Sequence, residues 1–233
     1  VLTGCNEAFI ITTEKRNEIL ANCQTEEERE RTSNIIRPII RGRDIKRYGY
    51  EWADLWLIAT FPSRHYDIEE YPAVKTYLLS FGIERLEQTG KKYVINGEEV
   101  KARKKTNNKW FETQDSINYW QDFLNPKLFY ADITQRLNFC LCKEVMFCNN
   151  TTYFISAKDE AILEHLKVYL NSPLIDWYYR TLSVQLGESA VRMFSIYVLE
   201  IPIPPITQKD IYKAYNLSQS EIDYIEKLAK LTY

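Results

Sequence analysis

Apolar and polar positions fall into blocks of two different periods along this chain, and those blocks predict its elements. Residues 7–12 (Glu-Ala-Phe-Ile-Ile-Thr) form a short apolar run that reads as a buried strand. Thr13 to Asn22 reads as a charged helix, and Thr25 to Arg31 as a solvated helical face or loop. Residues 35–40 resume as a strand leading into an Arg-Gly-Arg loop, and Leu55 to Phe61 is a compact apolar strand ended by Pro62. Tyr71-Pro72 opens a helix whose apolar residues Val74, Tyr77, Leu78 and Phe81 recur at helical spacing.

Further along, Asn96-Gly97 separates two β-prone runs within residues 91–101, a strong hairpin signal. Residues 127–133 and 137–148 read as strands, with Asn149-Asn150 turning into a strand over 152–155. An amphipathic helix runs from about Asp159 to Leu170. Ser172 and Pro173 then supply an N-cap and first-turn proline for a helix over 174–182. Ile201-Pro202-Ile203-Pro204-Pro205 closes the main domain, and Ser218 to Glu221 is a capping box ahead of a short amphipathic helix. Strands and helices mixed without regular alternation predict an α+β fold with mixed or antiparallel sheets and packed helices. The expected division is a main domain over 1–205 and a helical tail, or the start of a helical arm, over 206–233.

Composition fits an ordered globular chain of 233 residues, with 7 Gly and 8 Pro against 17 Tyr and 5 Trp. No run of 18 apolar residues occurs, so no transmembrane helix is expected. The first residues, Val1-Leu2-Thr3-Gly4-Cys5-Asn6, have no basic n-region and do not resemble a signal peptide. A cytoplasmic fragment of a longer protein is expected. The five cysteines are then expected to be reduced. Cys140-Leu141-Cys142 reads as strand alternation rather than as a metal site, since no second Cys pair exists and both His are distant. No metal site is expected.

Charge changes the picture more than composition does. Formal net charge is only -2, yet residues 35–50 carry +4 and residues 91–109 carry +5, which leaves -11 on the remainder. The first island is Arg37-Pro38-Ile39-Ile40-Arg41-Gly42-Arg43-Asp44-Ile45-Lys46-Arg47-Tyr48, five cations and one carboxylate in twelve residues. The guanidinium fork matches phosphate oxygens and guanine edges. Gly42 is expected to permit a backbone conformation forbidden to a side chain. The alternative is internal bracing, Arg43 with Asp44 above all. The second island lines the base of the hairpin, and a basic ribbon of that kind can enter a DNA groove. Such polarisation is the footprint of a nucleic-acid surface.

Catalytic motifs are missing. The seven glycines contain no Gly-x-Gly, and no Gly-x-Ser-x-Gly occurs. Glu99-Val100-Lys101 matches the tail of a nuclease metal site but lacks a partner Asp. Asn125-Pro126-Lys127 departs from the Asn-Pro-Pro-Tyr pattern of amino-methyltransferases after its second residue. No residue of this chain is expected to be catalytic.

Six blocks in order then resemble the TaqI-like C-terminal specificity domain. They are residues 3–11, the Arg37 to Tyr48 stretch with Trp56-Leu57-Ile58, and Lys109-Trp110-Phe111-Glu112 running to Tyr119-Trp120. Pro126 to Thr134, Leu170 to Ile175 and Tyr197 to Pro204 complete the set. The resemblance implies a target recognition domain for double-stranded DNA. In that family it follows an adenine-N6 methyltransferase domain, often within a type II restriction-modification enzyme or a phage-defence methyltransferase. S-adenosylmethionine would bind in that upstream domain, with no cofactor in this fragment, and the flipped adenine would enter it as well. Mapped onto this chain, the DNA contacts that the resemblance implies are Arg37, Arg41, Arg43, Lys46, Arg47 and Lys109. Lys101, Arg103, Lys104 and Lys105 are expected as contacts from the charge at the hairpin base alone, since the hairpin matches no feature of the family. Trp110 and Trp120 are expected in the core. Two other readings stand beside this one: a protein-interaction module, and a nuclease using Glu99 and Lys101.

Overall fold

Local capping starts the helices. Thr12 Oγ1 accepts the Lys15 N–H at 3.3 Å, and Thr25 Oγ1 accepts that of Glu28 at 3.1 Å. Asp159 accepts the Ala161 N–H at 2.9 Å and Ser172 that of Ile175 at 3.3 Å. Each of these acceptors satisfies a donor that has no partner within its own helix.

The computed structural model describes residues 1–187 and 189–231. They form an α+β fold of small antiparallel sheets and packed helices. Two compact units divide the chain, Val1–Ile40 with Trp52–Trp120, and Arg41–Glu51 with Gln121–Tyr233. The chain therefore leaves the first unit at residue 40 and returns at 52. Among the described residues no helix is long and apolar enough to cross a membrane.

In the first unit, strand Leu55–Ile58 lies between Ile10–Thr12 and Ile36–Ile40, antiparallel to both, with Trp56 opposite Ile11 and Pro38. Phe9, Ile36, Ile39, Ile40, Leu57, Ile58 and Leu78 are fully buried around it. Helices Thr13–Ala21, Glu26–Ile35 and Pro72–Leu79 pack alongside. Buried Glu28 joins two of these segments. Its carboxylate accepts the N–H groups of Gln24 at 2.8 Å and Ala73 at 3.2 Å, the latter at the start of Pro72–Leu79.

In the second unit, strand Lys127–Ala131 is buried along its whole length between Cys140–Cys142 and Thr152–Ser156. Helices Glu160–Leu170 and Pro173–Leu182 close over it, their apolar stripes meeting in a core around Tyr130, Phe139, Leu163, Tyr169 and Tyr179. The proline run at 201–205 is tied to this core, with Tyr169 donating to the Pro202 carbonyl at 3.0 Å and Tyr215 doing so at 2.6 Å. Helix Gln219–Leu231 packs on Pro173–Leu182. At its start, the Ser218 N–H reaches the Glu221 carboxylate at 2.7 Å, the reciprocal half of the expected capping box.

Several expectations need adjusting. Residues 6–9 make a helical turn (Asn6–Phe9), and only Ile10–Thr12 is strand. A short apolar run fits either state, and here the Cys5 carbonyl collects the Ala8 and Phe9 N–H groups. The run from Thr25 is a full helix, Glu26–Ile35. The segment 137–148 breaks into Cys140–Cys142 and Phe147–Cys148, with the charged Lys143-Glu144 pair between them.

Candidate nucleic-acid interface

The first basic island folds into a loop of the second unit. Gly42–Asp44 form one turn of 3-10 helix, and Ile45–Lys46 pair with Gly49–Tyr50. Residues i and i+3 eclipse in a 3-10 turn, which sets Arg41 against Asp44. Arg41 Nε donates to Asp44 Oδ2 at 2.9 Å and Nη2 to Oδ1 at 2.7 Å, while the Arg41 backbone N–H reaches Oδ2 at 2.9 Å. Burial would push the Asp44 carboxyl up. The hydrogen bonds and charge of Arg41 outweigh it and hold Asp44 below the usual carboxylate range. Internal bracing of Asp44 therefore exists, but Arg41 performs it rather than Arg43.

Gly42 has a reason different from the expected one. Its φ is not in the left-handed region. A Cβ there would lie 2.6 Å from the Thr151 carbonyl oxygen and 3.3 Å from the Ala131 Cβ. Close approach of two backbones excludes the side chain.

Past this brace, Arg43 is exposed and in no side-chain hydrogen bond or ion pair among the described residues, its charge adding to that of Arg41 in lowering the Asp44 pKa. Lys46 is exposed, with Glu51 at 3.5 Å in a solvated pair of little strength. Arg47 is half-buried. Its Nη2 donates to the Asn171 carbonyl at 2.9 Å, and its guanidinium lies 5.1 Å from the Tyr48 ring centroid. Asn171 is in turn fixed to the backbone of Phe139, accepting its N–H at 2.9 Å and donating to its carbonyl at 2.8 Å. Tyr48, absent from the set the sequence singles out, stands 51% exposed at the turn with φ +69°. A bulky side chain rarely occupies that backbone region, and such residues gather at functional sites. The signal in the sequence was an aromatic at the tip of a basic loop.

The second island belongs to the first unit. Strands Lys92–Ile95 and Glu98–Lys101 pair with Lys92 opposite Lys101, and Asn96 and Gly97 take φ of +51° and +89° in the turn. Lys92, Val94, Glu99 and Lys101 share the exposed face. Lys104, Lys105 and Lys109 are also exposed, Lys109 lying 5.5 Å over the Phe111 ring.

Arg103 is a correction. It is 4% exposed, and its guanidinium donates to the carbonyls of Leu86, Thr3, Glu112 and Trp110 at 2.6–2.7 Å. Desolvation lowers its pKa to about 10. With its donors engaged inside the unit, Arg103 cannot reach a phosphate. It is the internal post that fixes the segment carrying Lys104, Lys105 and Lys109.

Arg37 lies on strand Ile36–Ile40 of the first unit, half-buried, with Nη2 3.4 Å from Asn34 Oδ1. Trp110 and Trp120 are half-buried. Trp110 meets Phe111 edge-on at 5.6 Å, and Trp120 lies 4.0 Å beneath the Arg64 guanidinium. Glu99 is exposed and paired with Lys92 at 2.8 Å. Among the described residues no group of three or more His, Cys, Asp or Glu could hold a metal.

In the second unit, exposed Arg43 and Lys46 sit on a loop tied down by half-buried Arg47, and in the first, exposed Lys101, Lys104, Lys105 and Lys109 flank buried Arg103. Each set by itself is suited to binding an anion.

Comparison with known proteins adds a family. The description TaqI-like C-terminal specificity domain matches residues 37–203. Five of the six blocks singled out in the sequence fall in that span, the last up to its end, and residues 3–11 precede it. No curated protein matches the chain. Among solved structures, the chain is similar to the type IIL restriction-modification enzyme MmeI in complex with DNA, with TM-score 0.46 and 14% identity. The similarity covers 83% of this chain and 22% of that one, so the chain spans about a fifth of that enzyme.

Proposed function

Since the chain belongs to the TaqI-like C-terminal specificity domain family, we propose that it recognises specific sequences in double-stranded DNA for an N6-adenine methyltransferase or restriction-modification enzyme. The observation that carries the reading is the loop at 41–50. Arg41 and Asp44 neutralise each other and stiffen it, Arg47 is tethered, and Arg43 is exposed with no ion pair among the described residues. Prepaying the order of a cationic loop strengthens its contact with phosphate or base.

Arg37, Arg41, Arg43, Lys46, Arg47, Lys101, Lys104, Lys105 and Lys109 remain the contact set in this proposal. Arg43, Lys101, Lys104, Lys105 and Lys109 are its exposed members with no ion pair among the described residues. Tyr48 joins them as a residue able to stack on or wedge beside a base. Residues 1–205 act as the recognition domain and 206–233 as its tail. Methyl transfer, with S-adenosylmethionine, belongs to a domain upstream in the same polypeptide, and the setting is cytoplasmic.

The test is duplex binding across a salt series. Phosphate contacts make log K fall linearly with log salt, by about 0.9 per phosphate neutralised. A flat dependence would refute the reading. Arg43→Glu and Lys104→Glu should each weaken binding without changing thermal stability.

One observation favours a protein-interaction role instead. Leu199 is 82% exposed and Ile196 63% exposed on the same turn. Leu199→Glu lowering affinity for a partner subunit, with duplex binding absent in the parent chain, would select that reading.

A further inference from the structure

Arg16 lies outside both basic islands, on helix Thr13–Ala21 of the first unit, yet its surroundings are unusual for a structural arginine. Its guanidinium lies 4.1 Å from the Trp56 ring centroid. That ring is fixed, since its indole N–H donates to Thr13 Oγ1 at 2.9 Å and Trp52 meets it edge-on at 5.3 Å. Arg16 Nη2 donates to Ser33 Oγ at 3.0 Å, while its Nε is buried and finds no acceptor.

Among the described residues no carboxylate pairs with this charge. Burial disfavours the charged form of Arg16, and the charge that acts on it is Arg37, of the same sign. Arg37 comes from strand Ile36–Ile40, and its own hydrogen bond, to Asn34 Oδ1, is long at 3.4 Å. Ser33 and Asn34 lie in the last turn of helix Glu26–Ile35. That helix end supplies the equivalent of about half a negative charge, enough to offset part of one guanidinium but not two. One guanidinium on a fixed aromatic platform and a second held at the next residue of the same helix end, with donors in excess of acceptors, make a site that is short of one anion.

We propose that Arg16 and Arg37, with the Ser33 hydroxyl, form an oxyanion site that takes a backbone phosphate of duplex DNA. The phosphate identity rests on the DNA-recognition reading above; the oxyanion site does not. Each guanidinium presents a planar fork of donors that phosphate oxygens match. Stacking on Trp56 fixes Arg16 before the ligand arrives, so little side-chain freedom remains to be lost.

Two measurements on the 233-residue chain test this. Inorganic phosphate should shift the Arg16 Nε resonance in ¹⁵N-arginine-labelled protein, and Arg37→Gln should abolish the shift while the resonance itself persists. In duplex binding, Arg16→Gln and Arg37→Gln should each weaken affinity on every sequence and reduce the salt slope by about one. Arg16→Lys keeps the charge and the stem but not the fork, and should recover only part of the affinity. It also carries the test should Arg16→Gln fail to fold.

If the parent chain binds duplex steeply with salt but all variants bind as it does and phosphate moves nothing, the site is refuted and the DNA reading stands. If the parent ignores duplex DNA while phosphate still moves Arg16 through Arg37, the oxyanion site stands and the DNA reading falls.

Discussion

The Gly42 N–H donates to Thr151 Oγ1 at 3.0 Å, across 109 residues of sequence, and the two backbones approach so closely that a Cβ on Gly42 would sit 2.6 Å from the Thr151 carbonyl oxygen. The obstacle is backbone, which cannot rotate away. Gly42→Ala should therefore cost about 1–3 kcal/mol and lower the urea midpoint, although its φ suits alanine. Thr151→Val, which removes both that acceptor and the hydroxyl's own bond to Asn149 Oδ1 at 2.7 Å, should cost about 1–2 kcal/mol. An unchanged midpoint for Gly42→Ala would mean that the loop simply lifts off Thr151.

Arg103 predicts a different kind of loss. Arg103→Gln removes a cation that serves four carbonyls. The resulting unpaired buried acceptors should destabilise the chain by at least about 3 kcal/mol. Lys104→Gln, one residue on and exposed, should leave the melting temperature alone. If both variants melted alike and differed only in DNA affinity, the internal placement of Arg103 would be wrong.

The Arg41–Asp44 pair sets a pH response. Asp44 has a depressed folded-state pKa, so its stabilisation is fully present above the ordinary aspartate value of about 3.9 and is lost as pH falls through the lower folded value. Asp44→Asn should be clearly less stable than the parent at pH 6, and the gap should close below about pH 4. Denaturant midpoints from pH 6 down to 3 would show it. A gap independent of pH would assign the effect to packing alone.

All five cysteines are buried and none is in a disulfide. Burial pushes the Cys140 thiol up to about 12 and that of Cys148 to about 11, so neither presents thiolate at neutral pH. An aromatic disulfide reagent at pH 8 should label the native chain slowly, and should titrate five thiols rapidly once guanidinium is added. A stoichiometric burst from the native chain would contradict this burial.

Local chemistry was readable along the sequence. Ser172 caps its helix where the sequence placed it, because a cap acts only over the next three residues. Asn96-Gly97 fixed the hairpin for the same reason, since its turn needs two consecutive positive φ values. The family, too, was legible in the order of short blocks, with its match spanning 37–203. Residues 7–9 read as strand but fold as helix, because a short apolar run carries no period long enough to separate the two.

The roles of individual cations were decided only by tertiary structure. Asp44 is adjacent in sequence to Arg43, yet the 3-10 turn eclipses residues three apart and gives the carboxylate to Arg41. Arg103, Lys104 and Lys105 are indistinguishable as a string of charge. What separates them is the set of carbonyls that residues 3, 86, 110 and 112 bring around position 103. Arg16 carries no signal in its neighbours at all; its Trp56 platform and its like-charged partner Arg37 come from other strands. The sequence by itself determined how much positive charge the chain gathers and in which stretches. Folding decided which of those charges are neutralised or buried and which face outward, because that depends on groups distant along the chain.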